Sequence, residues 1–218
     1  MDIKILVATH KIYWMPADKV YIPIHVGKNG KKDIGYNGDD TGDNISDRNS
    51  AYCELTGFYW AWKNLNADYV GLVHYRRYFT KKGLFCRSIV KKRSDILTTK
   101  DWEKLLAEND IIVADKRNYW IETNEQHYLN AHPREQFDVA KTVIKEKCPE
   151  YLKGWDIMMG RTWAHMFNMF VMKKTYYDEF CQWWFDIMFE IEKKVDLEKY
   201  ANEEQRWFID ELLLDVWL

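Results

Sequence analysis

The sequence feature that most constrains the fold is a short apolar run that ends in a cluster of aromatic and cationic residues. Residues 69–73 form the run, which is followed directly by His74, Tyr75, Arg76 and Arg77. An uncharged run of this length is typical of a β-strand that is buried on both faces, as in parallel sheets. Because open α/β sheets bind ligands at the carboxyl ends of their strands, the run predicts an α/β fold with a ligand site at its end.

Two adjacent arginines at such a position indicate that an anion is recognised there. Each guanidinium carries a permanent charge and five N–H donors that match phosphate or carboxylate oxygens. The alternative is an ordinary surface pair that binds nearby acids. The flanking rings of Tyr75, Tyr78 and Phe79 favour a lined pocket, since ligand sites commonly combine aromatic walls with a few polar groups.

Composition indicates a single globular domain over residues 1–218. The chain has 218 residues, of which 47% are hydrophobic and 16% aromatic, enough for a large core. Its 32 basic and 34 acidic residues give a net charge of -2, so no global field would recruit nucleic acid and anion recognition must be local. Eleven Trp and fourteen Tyr could line a carbohydrate or nucleobase site, although we expect most of them in the core.

Cysteine usage and hydropathy predict a cytoplasmic protein. The four cysteines are widely spaced and contain no Cys-x-x-Cys, so neither a zinc site nor a redox motif is indicated. No segment predicts a signal peptide or a membrane span. The basic stretch from Lys81 to Arg93 is interleaved with apolar residues, and it could rest on the inner face of the cytoplasmic membrane; a solvated loop is the alternative.

Periodicity predicts alternating strands and helices. The predicted strands are residues 3–8, 21–26, 69–73, 111–114 and 165–172, and the predicted helices are residues 46–64, 102–109, 133–148, 176–194 and 203–217. Pro23 predicts an edge position for the second strand. Residues 27–48 are rich in Gly, Asn and Asp and predict a long surface loop, which is usually functional.

Polar groups at Thr9, His74, Asp115 and around Asn168 are expected to converge on one edge of the sheet. The predicted fold class is therefore α/β, with a Rossmann-like, mostly parallel central sheet flanked by helices. The glycine motifs of dinucleotide-binding folds and P-loops are absent, as is a nucleophile elbow.

Several segments together carry a resemblance to a known family. They are residues 4–11 (KILVATHK), residues 49–64 (N-x-x-Y-C-E-L-T-x-x-Y-W-A-W-K-N), residues 69–79 with the block H-Y-R-R-Y-F, residues 125–132 (E-Q-x-Y-x-x-x-H) and residues 167–174 (FNMFVMKK). In these segments, over nearly its whole length, the chain resembles the DUF4422 family of bacterial capsular and exopolysaccharide biosynthesis glycosyltransferases. The chain departs from the family pattern at Leu212, where the pattern has an arginine; Arg206 would have to replace that arginine.

The resemblance implies a GT-A-like fold and the transfer of a sugar from a nucleotide-diphosphate donor to a lipid-linked polysaccharide repeat unit. The family's setting suggests UDP-galactose, as pyranose or furanose, for the donor. Many GT-A enzymes bind Mn²⁺ or Mg²⁺ through an Asp-x-Asp after this strand, whereas this chain has Arg76 and Arg77 there. Two guanidinium groups can stabilise a leaving diphosphate as a divalent metal would. We therefore expect no required metal or other cofactor.

The resemblance and the strand order together nominate the site residues. Those expected to bind the donor are Thr9, His10, Lys11, His74, Tyr75, Arg76, Arg77, Asn168 and Arg206. A capped strand end is the alternative for Thr9, and a hydrogen bond to the backbone is the alternative for Asn168. Residues expected to contact the acceptor are Gln126, His127 and His132, with ordinary surface hydrogen bonding as the alternative.

An inverting transfer also needs a carboxylate that deprotonates the acceptor hydroxyl. The candidates are Glu125, Glu211, Asp210 and Asp115, of which Glu125 and Glu211 are preferred because they fall in segments that match the family. For each of them a structural or solvated acid is the alternative.

A function of a different class is a non-catalytic carbohydrate- or nucleotide-binding module. An enzyme should bind a nucleotide sugar through Arg76 and Arg77, whereas a lectin should bind free glycan and ignore the nucleotide. A nucleotidyltransferase or phosphatase is disfavoured because the sequence lacks clustered metal-binding carboxylates.

Overall fold

A computed structural model of the chain describes residues 1–81, 93–195 and 209–218. The strands are β1 (Ile3–Thr9), β2 (Tyr21–His25), β3 (Asn37–Gly38), β4 (Tyr69–His74), β5 (Ile111–Val113), β6 (Arg117–Asn118), β7 (Trp163–Ala164) and β8 (Phe170–Lys173). The helices are α1 (Asn49–Tyr52), α2 (Leu55–Asn64), α3 (Thr99–Leu106), α4 (Asn124–Ala131), α5 (Arg134–Lys147), α6 (Leu152–Gly160), α7 (Lys174–Lys194) and α8 (Asp210–Trp217). The chain divides into two compact units, residues 1–114 with 169–179 and residues 115–168 with 180–218.

The first unit contains a six-stranded sheet in the order β3-β2-β1-β4-β8-β5. Strand β1 pairs in parallel with β2 and β4, and β2 pairs in parallel with β3. Strand β8 is antiparallel to both β4 and β5, so it alone runs against the other strands of this sheet. The predicted α/β class with a mostly parallel sheet flanked by helices is confirmed.

The two central strands are buried on both faces. Leu6 and Val7 of β1 and Leu72 and Val73 of β4 are all 0% exposed. Burial of each such side chain contributes about 1.5–3 kcal/mol relative to exposure. A Cβ at Gly71 would lie 2.7 Å from a Val171 methyl carbon and 2.8 Å from a backbone oxygen of β8, so glycine permits this close strand approach.

Aromatic contacts pack helix α2 against the sheet of the first unit. The ring of Phe58 meets the rings of Phe170 and Tyr177 edge-on, at centroid distances of 5.3 Å and 5.2 Å. The Tyr177 hydroxyl also donates to the Phe58 carbonyl at 2.9 Å. This hydrogen bond satisfies a polar group inside an aromatic cluster and fixes its geometry.

Three sequence-based predictions are corrected, two by backbone conformation and one by strand pairing. The predicted helix over residues 46–64 is broken at Cys53, where φ is 49°, and the Asn49 amide donates to the Cys53 carbonyl at 2.6 Å in place of helical pairing. The predicted strand over residues 165–172 is extended only from Phe170, because Phe167 and Asn168 have φ of 75° and 49°. Strand β2 is not an edge strand, since β3 pairs with it beyond Pro23.

The second unit combines the paired strands β6 and β7 with α4, α5, α6, α8 and most of α7. Its core includes Trp155, which is 0% exposed and lies 5.2 Å from the ring of Phe137. Helices α4 and α6 were not among the predicted elements, and the N-terminal part of the predicted last helix lies outside the described residues. That the whole chain forms one domain stays a prediction.

Within the described parts of the chain, no helix is both long and apolar enough to span a membrane.

Candidate functional site

The pairing of β1 with β4 brings two polar strand ends together in the first unit. Ala8 is the register partner of His74, and the Tyr75 N–H donates to the Ala8 carbonyl at 3.1 Å. The last residues of the two strands and the residues that follow them therefore lie side by side. We call them the strand-end cluster: Thr9, His10, Lys11, His74, Tyr75, Arg76 and Arg77.

A tight turn orients the residues that follow β4. The His74 N–H donates to the Arg77 carbonyl at 3.2 Å, and the Arg77 N–H donates to the His74 carbonyl at 2.9 Å. These two bonds make Tyr75 and Arg76 the central residues of the turn. Tyr75 is buried and Arg76 is exposed, so the turn anchors itself through an aromatic ring and presents a guanidinium to solvent.

The ring of Tyr75 organises the cluster. His10 and Tyr13 meet it edge-on at centroid distances of 5.5 Å and 5.0 Å. The Lys11 ammonium lies 5.4 Å and the Arg76 guanidinium carbon 5.0 Å from the centre of the ring. Cations at these distances are attracted by the ring quadrupole. One buried tyrosine thus holds two exposed cations near each other.

Electrostatics within the first unit favour an anion at this cluster. Burial lowers the pKa of His10, and the positive charges of Lys11, Lys31 and Arg76 lower it further. A group whose protonation is opposed by three cations lies in a locally positive field. The sequence analysis did not select Lys31, which belongs to the loop after β2.

The Thr9 hydroxyl is used within its own turn. Thr9 is 1% exposed, and its Oγ1 donates to the Lys11 carbonyl at 2.7 Å and accepts from the Lys11 N–H at 3.3 Å. This is the capped strand end that the sequence left open. A contact between Thr9 and a donor stays a prediction.

A buried carboxylate, which the sequence analysis missed, anchors the loop that carries Lys31. Asp39 is 0% exposed and accepts from the N–H groups of Gly27 and Lys28 at 2.7 Å and 3.0 Å. It also accepts from the Ser46 and Thr56 hydroxyls, both at 2.5 Å. Four hydrogen bonds satisfy the buried charge and tie the loop to α2.

In the second unit the structure brings Asn168 and Asp210 together. The Asn168 amide nitrogen donates to Asp210 Oδ2 at 2.8 Å, and both residues are buried. Asp210, one of the candidate bases, is therefore hydrogen-bonded to Asn168, a residue that is predicted to bind the donor. Glu211 is half-buried on α8. Burial raises the pKa of Tyr119; the positive charge of Arg117 lowers this pKa, and the negative charge of Glu211 raises it.

The predicted acceptor residues lie on or beside helix α4. Gln126 completes a capping box with Thr123, donating its N–H to the Thr123 hydroxyl at 3.1 Å. His127 Nδ1 lies 3.0 Å from Glu122 Oε2. Burial, followed by the charge of His127, lowers the pKa of His132. Gln126 and His127 thus have structural partners, and their contacts to an acceptor stay predictions.

The remaining candidates are two carboxylates, Glu125 and Asp115, and residues that lie outside the described part of the chain. Glu125 is half-buried in the first turn of α4, and Asp115 is exposed after β5. Arg206 and residues 82–92 of the basic stretch are outside the described residues. Leu212, at the departure from the family pattern, is 4% exposed. Among residues 1–81, 93–195 and 209–218, no group of three or more His, Cys, Asp or Glu side chains could hold a metal ion.

The sequence analysis also missed a histidine–carboxylate pair in the second unit. Asp215 accepts from the backbone N–H of His165 at 2.6 Å, and its other oxygen lies 2.6 Å from His165 Nδ1. The two residues are 50 positions apart, and neither lies in a motif with chemical meaning of its own. Only the tertiary structure brings them together.

Comparison with known proteins gives one family and one solved structure. The structure is that of WbbM, a bifunctional glycosyltransferase, in its apo form; it is 30% identical to this chain, with a TM-score of 0.90. The match covers 100% of this chain and 42% of the WbbM chain, so this chain spans less than half of that protein. None of the curated proteins matches. The family model described as a domain of unknown function, DUF4422, matches residues 4–218, which confirms the resemblance and shows that the chain belongs to the DUF4422 family.

Proposed function

We propose that this chain is a glycosyltransferase that moves a sugar from a nucleotide-diphosphate donor to a glycan acceptor. The strand-end cluster is the observation that carries the proposal. It places the exposed cations of Lys11 and Arg76 on the ring of Tyr75, at the ends of two parallel strands. The similar structure of WbbM, named a bifunctional glycosyltransferase, supports the same class of reaction.

The chemistry of transfer explains why this cluster suits the donor diphosphate. The bond between the anomeric carbon and the diphosphate oxygen breaks, and its electron pair leaves with the nucleoside diphosphate. Charge then grows on the phosphate oxygens, and preorganised cations at that position lower the barrier. In our proposal the guanidinium groups of Arg76 and Arg77 supply this stabilisation without a required metal. His10, Lys11 and His74 complete the anion site.

We further propose UDP-galactose, as pyranose or furanose, for the donor and a lipid-linked polysaccharide repeat unit for the acceptor. The family resemblance supports this choice. The reaction would belong to capsular or exopolysaccharide biosynthesis at the cytoplasmic face of the membrane. Asn168 would bind the donor, and Gln126, His127 and His132 would bind the acceptor.

A thermal-shift screen tests the proposed function. The purified chain is heated with UDP, GDP, CMP and their sugars, each in EDTA and in Mn²⁺. A ligand at 100 times its Kd adds about 2.7 kcal/mol to the folded state, which raises Tm by about 5–10 °C for a chain of this size. We expect one nucleoside diphosphate to do so in EDTA. Arg76→Ala should abolish the shift, whereas the exposed Arg134→Ala should keep it.

Two other outcomes would contradict parts of the proposal. A requirement for Mn²⁺ that persists in Arg76→Ala and Arg77→Ala would contradict the metal-independent mechanism. No shift with any nucleotide, together with binding of free glycan, would favour the non-catalytic binding module.

A further inference from the structure

The loop after β2 begins beside the strand-end cluster of the first unit. His25, the last residue of β2, is the register partner of Thr9, and the Val26 N–H donates to the Thr9 carbonyl at 3.0 Å. Because β1 and β2 are parallel, the residues after each strand leave the sheet at the same edge. Lys31 belongs to this loop and is exposed, so the loop carries a cation close to the cluster.

A β-turn over residues 28–31 fixes the backbone that carries Lys31. The Lys31 N–H donates to the Lys28 carbonyl at 2.8 Å, and Gly30 has a φ of 69°, the positive value that the third position of a type II turn requires. The Lys28 N–H in turn donates to the buried carboxylate of Asp39 at 3.0 Å. The backbone at Lys31 is therefore held by a turn that is itself anchored in the protein interior.

A chain of hydrogen bonds also leads from the Asp39 carboxylate to the Lys31 ammonium. The Thr56 hydroxyl donates to Asp39 Oδ2 at 2.5 Å, and the Asn49 amide nitrogen lies 3.3 Å from the Thr56 hydroxyl. That amide nitrogen donates to the Cys53 carbonyl at 2.6 Å, so the amide oxygen is left for the Lys31 ammonium, which donates to it at 3.3 Å. Because the amide is neutral, this contact orients the ammonium without cancelling its charge.

Gly27 makes room for the asparagine that holds Lys31. A Cβ at Gly27 would lie 2.1 Å from a side-chain carbon of Asn49, and the φ of 62° at Gly27 disfavours other residues as well. A side chain at position 27 would therefore displace the Asn49 amide from its place beside Lys31.

The charge of Lys31 acts on the ends of two strands. Burial lowers the pKa of His10, which follows β1, and of His25, which ends β2; the positive charge of Lys31 lowers both values further. Lys11 and Arg76 also lower the pKa of His10. Cations from the segments after β1, β2 and β4 thus share one field in the first unit.

We propose that Lys31 binds the donor diphosphate and that Asn49 positions it, an inference that rests on the proposed glycosyltransferase function. Lys31 has three N–H donors, of which Asn49 uses one, so two remain for phosphate oxygens. An ammonium is a compact charge that suits a single phosphate oxygen, whereas the guanidinium of Arg76 suits two. With Lys11, the three residues place donors from three strand ends around one anion.

The decisive variant is Lys31→Gln, which removes the charge and keeps most of the side chain. We expect its Kd for UDP, measured by titration calorimetry, to rise by about 10–100-fold, the usual loss for a charge-assisted hydrogen bond. Lys31→Arg keeps the charge and should retain most of the affinity. The matched control is Lys32→Gln, which removes an exposed neighbouring charge and should bind UDP as the wild type does. Equal affinity of Lys31→Gln and wild type would overturn the proposal.

The pKa of His10 tests the placement of Lys31 without any ligand. Loss of a positive charge near His10 should raise this pKa in Lys31→Gln and leave it unchanged in Lys32→Gln. NMR titration of the imidazole ring measures both variants. An unchanged pKa in Lys31→Gln would show that Lys31 lies away from the cluster, and the proposal would fail.

A double-mutant cycle separates positioning by Asn49 from a purely structural role. Asn49→Ala should raise the Kd for UDP when Lys31 is present and have little further effect in Lys31→Gln. An equal rise in both backgrounds would contradict the positioning role. If Asn49→Ala folds poorly, the variants of the exposed Lys31 still decide the proposal. A wild-type chain that binds no UDP would instead contradict the proposed function itself.

Discussion

The ring of His10 meets the ring of Tyr75 edge-on, with an interplanar angle of 88° and a centroid distance of 5.5 Å. This contact joins the residue after β1 to the turn after β4. It leaves the Tyr75 ring available to Lys11 and Arg76. The strand-end cluster therefore depends on an aromatic ring that need not touch the diphosphate itself.

Replacement of Tyr75 should weaken nucleotide binding through the two cations. Each cation–π contact at an exposed site contributes about 0.5–1 kcal/mol, so Tyr75→Leu should raise the Kd for UDP by about 5–30-fold. Tyr75→Phe keeps the ring and should stay near wild type. Titration calorimetry measures both. Tyr59→Leu is a matched control, because the Lys63 ammonium lies 5.5 Å from the Tyr59 ring, outside the cluster. Equal affinity of Tyr75→Leu and wild type would contradict this role.

Binding of a diphosphate should raise the pKa of His10. Burial and the charges of Lys11, Lys31 and Arg76 lower this pKa in the free protein. An anion placed among these cations stabilises the imidazolium, so binding takes up a proton and affinity increases as the pH falls through the imidazole range. NMR titration of the His10 ring with and without UDP measures the shift. In His10→Gln the affinity for UDP should lose this pH dependence; an unchanged dependence would contradict the assignment.

The strand-end cluster could be predicted from the sequence because each strand and its polar end are specified by a few consecutive residues. Apolar runs specify β1 and β4, with Lys4 the single charged residue in the run of β1, and parallel strands bring their polar ends to one edge. The sequence could not predict the burial of Asp39, because this residue lies in a stretch rich in turn-forming residues and its partners at Gly27 and Thr56 are 12 and 17 positions away.

Other failures have equally physical causes. The turn that replaces the predicted strand puts Phe167 and Asn168 in the left-handed region. Asparagine adopts this region more readily than most residues, but a bulky aromatic residue such as Phe167 does not, and the apolar residues on both sides are typical of a strand. The pairing of His165 with Asp215 exists only once α8 packs beside β7. Both features depend on tertiary contacts, which periodicity and spacing do not encode.

Removal of the Asp39 carboxylate should destabilise the first unit strongly. Asp39→Ala leaves two hydroxyls and two N–H groups without their acceptor in a buried site. Since such losses are individually about 1–3 kcal/mol, we expect the free energy of unfolding to fall by about 3–5 kcal/mol. Urea denaturation measures it. The exposed neighbour variant Asp40→Ala should change stability by less than about 0.5 kcal/mol. Similar values for both variants would show that Asp39 is not the anchor.

His25 should make the fold sensitive to acid. It is 1% exposed, and burial is the main cause that lowers its pKa; Lys31 and Lys28 lower it further, while Asp39 and Asp33 oppose them. The unfolded chain therefore binds a proton at a pH where the folded chain does not. The contribution of the neutral His25 side chain to the free energy of unfolding is complete above the ordinary imidazole pKa of about 6.5. This contribution is lost as the pH falls below that value, at a rate of up to about 1.4 kcal/mol per pH unit.

The variant His25→Phe isolates this effect. Within the described residues, His25 Nδ1 has no hydrogen-bond partner, so an apolar ring of similar size forfeits no bond at that atom. Urea denaturation at pH 7.5, 6.5 and 5.5 should give a smaller loss of stability toward low pH for His25→Phe than for wild type. Ile24→Val on the same strand should lower stability by about 0.5–1.5 kcal/mol at every pH, since it removes volume and no titratable group. Parallel pH profiles for wild type and His25→Phe would assign the acid sensitivity to other groups, of which His132 is the first candidate because burial lowers its pKa as well.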